Sequence, residues 1–148
     1  MATVSVYLNY DGNCEEAFNF YKSVLGGEFP MIGRFGDIPA QEGMPPLKEE
    51  HKNRVMHVSL PVSKETVLMG SDIMPGVHQL IQGNNFSVSL NVESREEADH
   101  IFKGLSEGGK VIMPLQDTFW GAYFGMWTDK FGINWMVNYD DPAKVQPH

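Results

Sequence analysis

Few side chains in this sequence have the chemistry for catalysis or metal binding, and their spacing narrows what that chemistry is. The five histidines are His51, His57, His78, His100 and His148. No two of them have the i, i+4 spacing of a helix face or the i, i+2 spacing of a strand face, so they form no local metal motif. A single imidazole titrates near neutrality and suits a general base or a ligand-orienting donor. His57 is the candidate for that role, with a satisfied structural histidine as the alternative. Cys14 stands beside a helix start, where a thiol pKa can fall; the alternative is a buried, inert thiol. Being the one cysteine, it excludes an internal disulfide and every multi-cysteine zinc motif. Ser71 and Asp72 with His57 have the residue types of a hydrolytic triad. Neighbours on a strand face opposite sides, however, so Ser71 and Asp72 cannot act together. Asp129, in the run DKFG, reads as a turn residue. Glu15, Glu16, Glu96 and Glu97 lie at helix N-termini, where the helix dipole accounts for them.

These residues sit in an internal repeat. The segment YLNYDGNCEEAFNFYKSVLGGEF (7–29) aligns with SLNVESREEADHIFKGLSEGGKV (89–111). Leu8-Asn9 and Leu90-Asn91 are 82 apart, as are Gly26-Gly27 and Gly108-Gly109. Ala17 and Ala98 are 81 apart, a one-residue slip within the helix. Chance likeness of two helices is the alternative, but the order strand, helix, Gly-Gly, strand is shared as well. In the first copy, Val4–Tyr10 alternates as a strand, and Asn13 with Glu16 reads as a helix start. Ala17, Phe18, Tyr21, Val24 and Leu25 share a helix face, and Gly26-Gly27 ends it. In the second, the strand is Phe86–Val92, Ser94 with Glu97 is a capping box, and Ala98, Ile101, Phe102 and Leu105 form the stripe.

Two further strands close each half: Val55–Val62 and Thr66–Asp72, then Ala122–Thr128 and Ile133–Tyr139. Aligning Met69 with Met136 gives an offset of 67, and the missing residues correspond to DIPAQEGMPPLKEEHKN (37–53), an insertion in the first half only. It reads as a floppy loop, a lid or a dimer contact. The expectation is one α+β domain over 1–148 built of two β-α-β-β-β modules, about 3–73 and 85–139. Beyond Asp140 the polar tail reads as frayed.

Alternation separates the strand faces. Val6, Leu8 and Tyr10 oppose Ser5, Tyr7 and Asn9. Met56, Val58 and Leu60 oppose His57 and Ser59. Phe86, Val88 and Leu90 oppose Ser87, Ser89 and Asn91, and Ile133, Trp135 and Val137 oppose Asn134, Met136 and Asn138. The apolar faces pack on the helices. The second faces carry Ser, Asn, His, Tyr and Met, a lining suited to a small ligand; a solvated sheet face is the alternative. Met69, Met136 and Tyr7 favour the pocket, since methionine adapts to irregular apolar ligands. Ser5, Tyr7, Ser59, Met69, Ser71, Ser87, Asn134 and Met136 are the expected lining. Trp120, in a loop, walls the pocket or a dimer seam, or packs in the core.

Composition sets outer bounds. The chain has 148 residues, 42% hydrophobic and 20% charged, enough for a packed core. Eleven Lys and Arg against 19 Asp and Glu give a formal charge of -8. That disfavours nucleic acid and anionic membrane surfaces as partners. No apolar run is long enough to span a bilayer, and MATVSVYLNY lacks the features of a signal peptide, so a cytoplasmic protein is expected.

NCEEAFNFYKSVLGGEF (13–29), VLMGSD (67–72) and DTFWGAYFGMWTDKFGINWMVN (117–138) resemble the PhnB-like branch of the glyoxalase/bleomycin-resistance/dioxygenase group, the vicinal-oxygen-chelate superfamily. The resemblance covers nearly the whole chain. It implies paired β-α-β-β-β modules with a curled sheet, and a homodimer. Metal-using members hold a divalent ion with His, Gln or Glu, one each from the first, fourth, fifth and eighth strands. Those positions carry over to Ser5, Met69, Ser87 and Met136. Hydroxyls and thioethers suit such an ion poorly, so no metal and no cofactor is expected. Some sequences of this branch bear a demethylubiquinone methyltransferase label; that activity is not expected without a Gly-rich strand-to-helix turn. The leading expectation is a metal-free binder of a small organic molecule. A lyase, isomerase or dioxygenase of the same superfamily, a drug-sequestering protein and a structural dimer module are the alternatives. The ligand, and whether the modules pair within the chain or across a dimer, stay open at this level.

Overall fold

The computed structural model describes residues 2–39, 43, 46–77 and 79–144. The chain forms two compact units, residues 1–81 and 82–148, each built on the same plan. The first runs β1 (Val6–Tyr10), α1 (Cys14–Leu25), β2 (Met31–Arg34), β3 (Val55–Pro61) and β4 (Val67–Asp72). Its sheet has the order β1-β4-β3-β2, with β1 parallel to β4 and the other pairs antiparallel. The second runs β5 (Val88–Asn91), α2 (Arg95–Ser106), β6 (Lys110–Asp117), β7 (Ala122–Thr128) and β8 (Asn134–Asp140). Its order, β5-β8-β7-β6, repeats the first. The α+β repeat expected from the sequence is therefore the architecture of each unit. Among the described residues no helix is long and apolar enough to cross a membrane.

In each unit one sheet face is covered by the helix. Ala17, Phe18 and Tyr21 of α1 are fully buried, against Leu8, Val58, Leu60 and Leu68 of the sheet. Burying a side chain such as Leu60 or Leu68 contributes about 2 kcal/mol. Tyr10 is buried too and keeps its hydroxyl satisfied, 2.8 Å from that of Tyr21. In the second unit Ala98, Ile101 and Leu105 of α2 meet Trp127, Trp135 and Val137. The two indoles stack with centroids 6.4 Å apart, and Phe102 meets Trp127 edge-on at 5.2 Å. Gly26 ends α1 with φ +81°, a backbone that favours glycine.

Several boundaries differ from the sequence reading. Val4 is exposed before β1, and Phe86 lies outside β5 at 66% exposure. Alternation continued past the last paired residue in both places. Met56 does not share the buried face of Val58 and Leu60. The pairing steps from Gly33–His57 to Arg34–Val55, so Met56 is the extra residue of a bulge and turns outward while Val55 goes in. Asn13 holds the N-cap position of α1 without a side-chain cap bond. Ser94 caps α2 as expected, accepting the Glu97 N–H at 3.0 Å. The 37–53 insertion contributes the end of one short 3₁₀ turn, Phe35–Asp37, and a second, Glu49–His51.

Candidate functional site

The face of the first sheet turned away from α1 carries the polar residues. Cross-strand register puts Tyr7 opposite Met69, Met69 opposite Ser59 and Ser59 opposite Met31, in one row. Asn9 stands opposite Ser71 in the next. Tyr7 is 44% exposed, while His57, Ser59, Met69 and Ser71 are half-buried. The Tyr7 hydroxyl lies 3.4 Å from His57 Nδ1, with ring centroids 5.8 Å apart. When Nε2 carries the imidazole proton, Tyr7 donates to Nδ1. In the other tautomer Nδ1 donates to the phenol oxygen. Either way Nε2 is the ring nitrogen left for a ligand. Ser5 lies exposed, one residue ahead of β1.

Next to this face is a cavity of about 510 Å³, lined among others by Asn9, Phe35, Ser71, Met74 and Leu80. Its size falls within the range of small-molecule sites. A second, of about 850 Å³, is walled by Ile38, Leu47, Lys48 and His51 of the insertion with Met74 and Val77. The described part of the insertion thus borders a cavity.

Asp72 also borders the first cavity, but its carboxylate is committed elsewhere. Oδ1 accepts the N–H groups of Gly12 at 2.8 Å and Cys14 at 3.0 Å, and Oδ2 accepts that of Val55 at 2.8 Å. It is 3% exposed on the helix-facing side, so Ser71 and Asp72 do face apart and no triad forms. This residue, not Asn13, supplies the cap at the start of α1. Cys14 is fully buried. Burial first, then the negative charges of Asp72 and Glu15, push its thiol far above the usual range. The inert alternative holds, and a lowered thiol pKa does not.

In the second unit Ser89, not Ser87, stands opposite Met136; Ser87 is half-buried just before β5. Asn134 is committed: its side-chain oxygen accepts from Thr128 Oγ1 at 2.7 Å and its nitrogen donates to the Gly83 carbonyl at 3.0 Å. Trp120 lies in the β6–β7 turn, edge-on to Phe119 at 4.9 Å. Asp129 is indeed in a turn. It accepts the N–H groups of Phe131 and Ile133 and the indole N–H of Trp135, which ties the turn to the core. His51 lies in the second 3₁₀ turn and His100 on α2; His78 and His148 fall outside the described residues. Among the described residues no three of His, Cys, Asp and Glu stand together as a metal site.

Of the positions carried over from the resemblance, Ser5 and Ser87 lie two residues ahead of those that pair with the methionines. The residues aligned with Met69 and Met136 across the parallel pairs are Tyr7 and Ser89. A phenol, a hydroxyl and two thioethers fit a hard divalent ion no better than the set drawn from the sequence.

Sequence reasoning did not single out Asn9 as lining, pair Tyr7 with His57, or identify Asp72 as a hub. For Asp72 a signal was present, since it alternates in phase with Leu68 and Gly70, whose positions are buried.

Comparison with known proteins supports a common origin along the whole chain. The model of the Glyoxalase/Bleomycin resistance protein/Dioxygenase superfamily matches residues 4–137. Protein YjdN of Escherichia coli is 33% identical over 149 residues, 97% of each chain. The crystal structure of protein PA1353 from Pseudomonas aeruginosa superposes with a TM-score of 0.81 at 41% identity, over 95% of this chain and 98% of that one. A PhnB protein from Bacillus cereus superposes with a TM-score of 0.71 at 26% identity, over 93% and 99% of the two chains. With its two β-α-β-β-β units and a family match from residue 4 to residue 137, the chain belongs to the glyoxalase/bleomycin resistance protein/dioxygenase superfamily.

Proposed function

We propose that this chain binds a small organic molecule on the open face of its first sheet, without the divalent ion used by other members of the superfamily. The observation that carries the reading is the Tyr7–His57 hydrogen bond on a face shared with Ser59, Met69 and Ser71, of which Ser71 also lines the cavity of about 510 Å³. Half-buried Ser71 and exposed Asn9 beside apolar Phe35, Met74 and Leu80 give the cavity the mixed lining of ligand sites. His57 supplies the polar contact through Nε2, and Asn9 and Ser71 add donors and acceptors. Carbon-rich parts of the ligand rest on Met69 and the cavity wall. We propose a homodimer as the assembly, supported by the exposed Phe119 and Trp120 as apolar surface.

The methyltransferase designation of the Bacillus cereus protein does not extend to this chain. The turn from β1 to α1, Asp11-Gly12-Asn13, holds one glycine and not the glycine-rich loop that cradles a nucleotide-like cofactor. A second reading, a lyase or isomerase with His57 as general base, is favoured by the same geometry. The contact with Tyr7 is made through Nδ1, so a base would act through Nε2.

The test is a thermal-shift screen of small metabolites against untagged protein, run with chelator and with added Ni, Zn, Mn or Fe(II). The expected result is a chelator-insensitive hit lost in His57→Ala. One tightly bound divalent ion per chain, or hits indifferent to His57→Ala and Tyr7→Phe, would overturn the reading.

A further inference from the structure

The second unit carries on its open face a feature that the first lacks. Register sets Met113 of β6 opposite Met126 of β7, at a pair flanked by a register shift on either side, and Met126 opposite Met136 of β8 in a regular ladder. Directly opposed residues share a face, with Cβ atoms about 4.5–5.5 Å apart. Three thioethers therefore stand side by side on three adjacent strands, each residue half-buried. The matching row of the first sheet reads Met31, Ser59, Met69, so its two methionines are separated by a hydroxyl. Helix α2 covers the other side of the second sheet, where Gly125 and Trp127 alternate with Met126.

A sheet face ordinarily favours β-branched and aromatic residues, which hold a pleated surface better than an unbranched chain does. Three methionines in register forgo that and put three thioether sulfurs, each on a flexible stem, on one sheet face. The flexibility lets the two outer side chains lean toward the central one. Thioethers are soft and neutral. They are poor ligands for Zn, Mg or Mn and good ones for Cu(I).

We propose that Met113, Met126 and Met136 form a three-thioether site for a soft monovalent cation of the Cu(I) class. Each sulfur donates a lone pair, no bond breaks, and no proton is released on binding. Affinity is therefore flat with pH between about 5 and 8, unlike a thiolate or imidazole site, whose ligands must first deprotonate. The one thiol, Cys14, is fully buried in the other unit. The three methionines belong to the second unit and the ligand site proposed above to the first, and neither reading needs the other.

Silver(I) nitrate in chloride-free buffer is the probe, since Ag(I) has the same softness without the redox chemistry. It is titrated into full-length protein carrying methyl-13C methionine, in a Cys14→Ala background. Three methyl signals are expected to shift together and saturate at one Ag(I) per chain, equally at pH 5.5 and 7.5. Met126→Leu keeps the apolar surface, removes the central sulfur and is expected to weaken binding at least tenfold. If that variant does not fold, Met136→Leu takes its place. Shifts confined to exposed Met31 and Met56, no saturation at one ion, or undiminished affinity in the folded leucine variant would overturn the proposal.

Discussion

The phenol of Tyr7 and the imidazole of His57 meet at 3.4 Å although β4 lies between their strands. With strands about 4.8 Å apart, the two side chains span roughly 10 Å of sheet and close over its surface. The contact is thus a property of the folded sheet, absent from any single strand or hairpin.

Tyr7→Phe keeps the ring and removes the hydroxyl. Nitrogen-15 NMR of His57 is expected to show a changed balance of its two neutral tautomers. The affinity of any ligand found in the screen should fall about three- to tenfold, the worth of one hydrogen bond. An unaltered tautomer balance would mean that Tyr7 does not orient His57.

Asp72 holds three backbone N–H groups from two separate stretches of chain. Asp72→Ala leaves all three without that acceptor, and a loss of about 3 kcal/mol is expected. In urea this reads as a lower midpoint with little change of slope. Asp72→Asn should not rescue fully, because its amide nitrogen would face a donor at one oxygen's position. Equal stability of the Asp72→Asn variant and wild type would contradict the accounting.

Two glycines make room for aromatic rings from the covering helices. A Cβ on Gly125 would come within 2.8 Å of Phe102, and one on Gly70 within 2.7 Å of Phe18. Each alanine variant should cost about 1–3 kcal/mol by overpacking. The two differ in repair. Phe102→Leu should recover much of the loss at Gly125, where the closest atoms belong to a side chain. Phe18→Leu should recover less at Gly70, because the Leu8 carbonyl also stands 2.8 Å away. Double-mutant cycles measure the difference.

Cys14 gives the pH prediction. Its thiol is raised in the fold, foremost by burial. The folded state therefore keeps the proton at a pH where the unfolded chain loses it. The stabilising contribution is complete below the unfolded thiol's pKa of about 8.5 and is lost as pH rises beyond it. Stability measured from pH 8 to 10 should fall less in Cys14→Ala than in wild type. Ellman's reagent should modify Cys14 only at the rate of unfolding. Rapid labelling in native buffer would contradict both statements.

The repeat, the two helices and the alternating faces were readable in sequence because each rests on neighbours a few residues apart. Ser94 with Glu97, and Gly26-Gly27, are local signals of that kind: Ser94 accepts the Glu97 N–H, the first half of the capping box, and Gly26 ends α1. The misreadings share one cause. Asp72 caps a helix that begins 58 residues earlier, and Met56 turns outward because the partner strand steps differently. Phe86 falls outside β5 because pairing stops before alternation does. The site shows the same division. Which residues share the open face followed from period-two spacing. That Tyr7 reaches His57 required the strand order β1-β4-β3, which no local pattern contains.

The matched rows of the two sheets also preserve a history. Tyr7 and Ser89, and Met31 and Met113, stand 82 positions apart, while Ser59 and Met126, and Met69 and Met136, stand 67 apart. Across the strands the count changes once, between β2 and β3; only the helices, which start 81 apart, depart from it by one. A length change inside a strand would have turned its remaining side chains from one face to the other. An ancestral duplication followed by length changes confined to the connections, the largest of them in that loop, leaves every strand in phase. The first half could thus diverge in length there without disturbing the surface that either half presents.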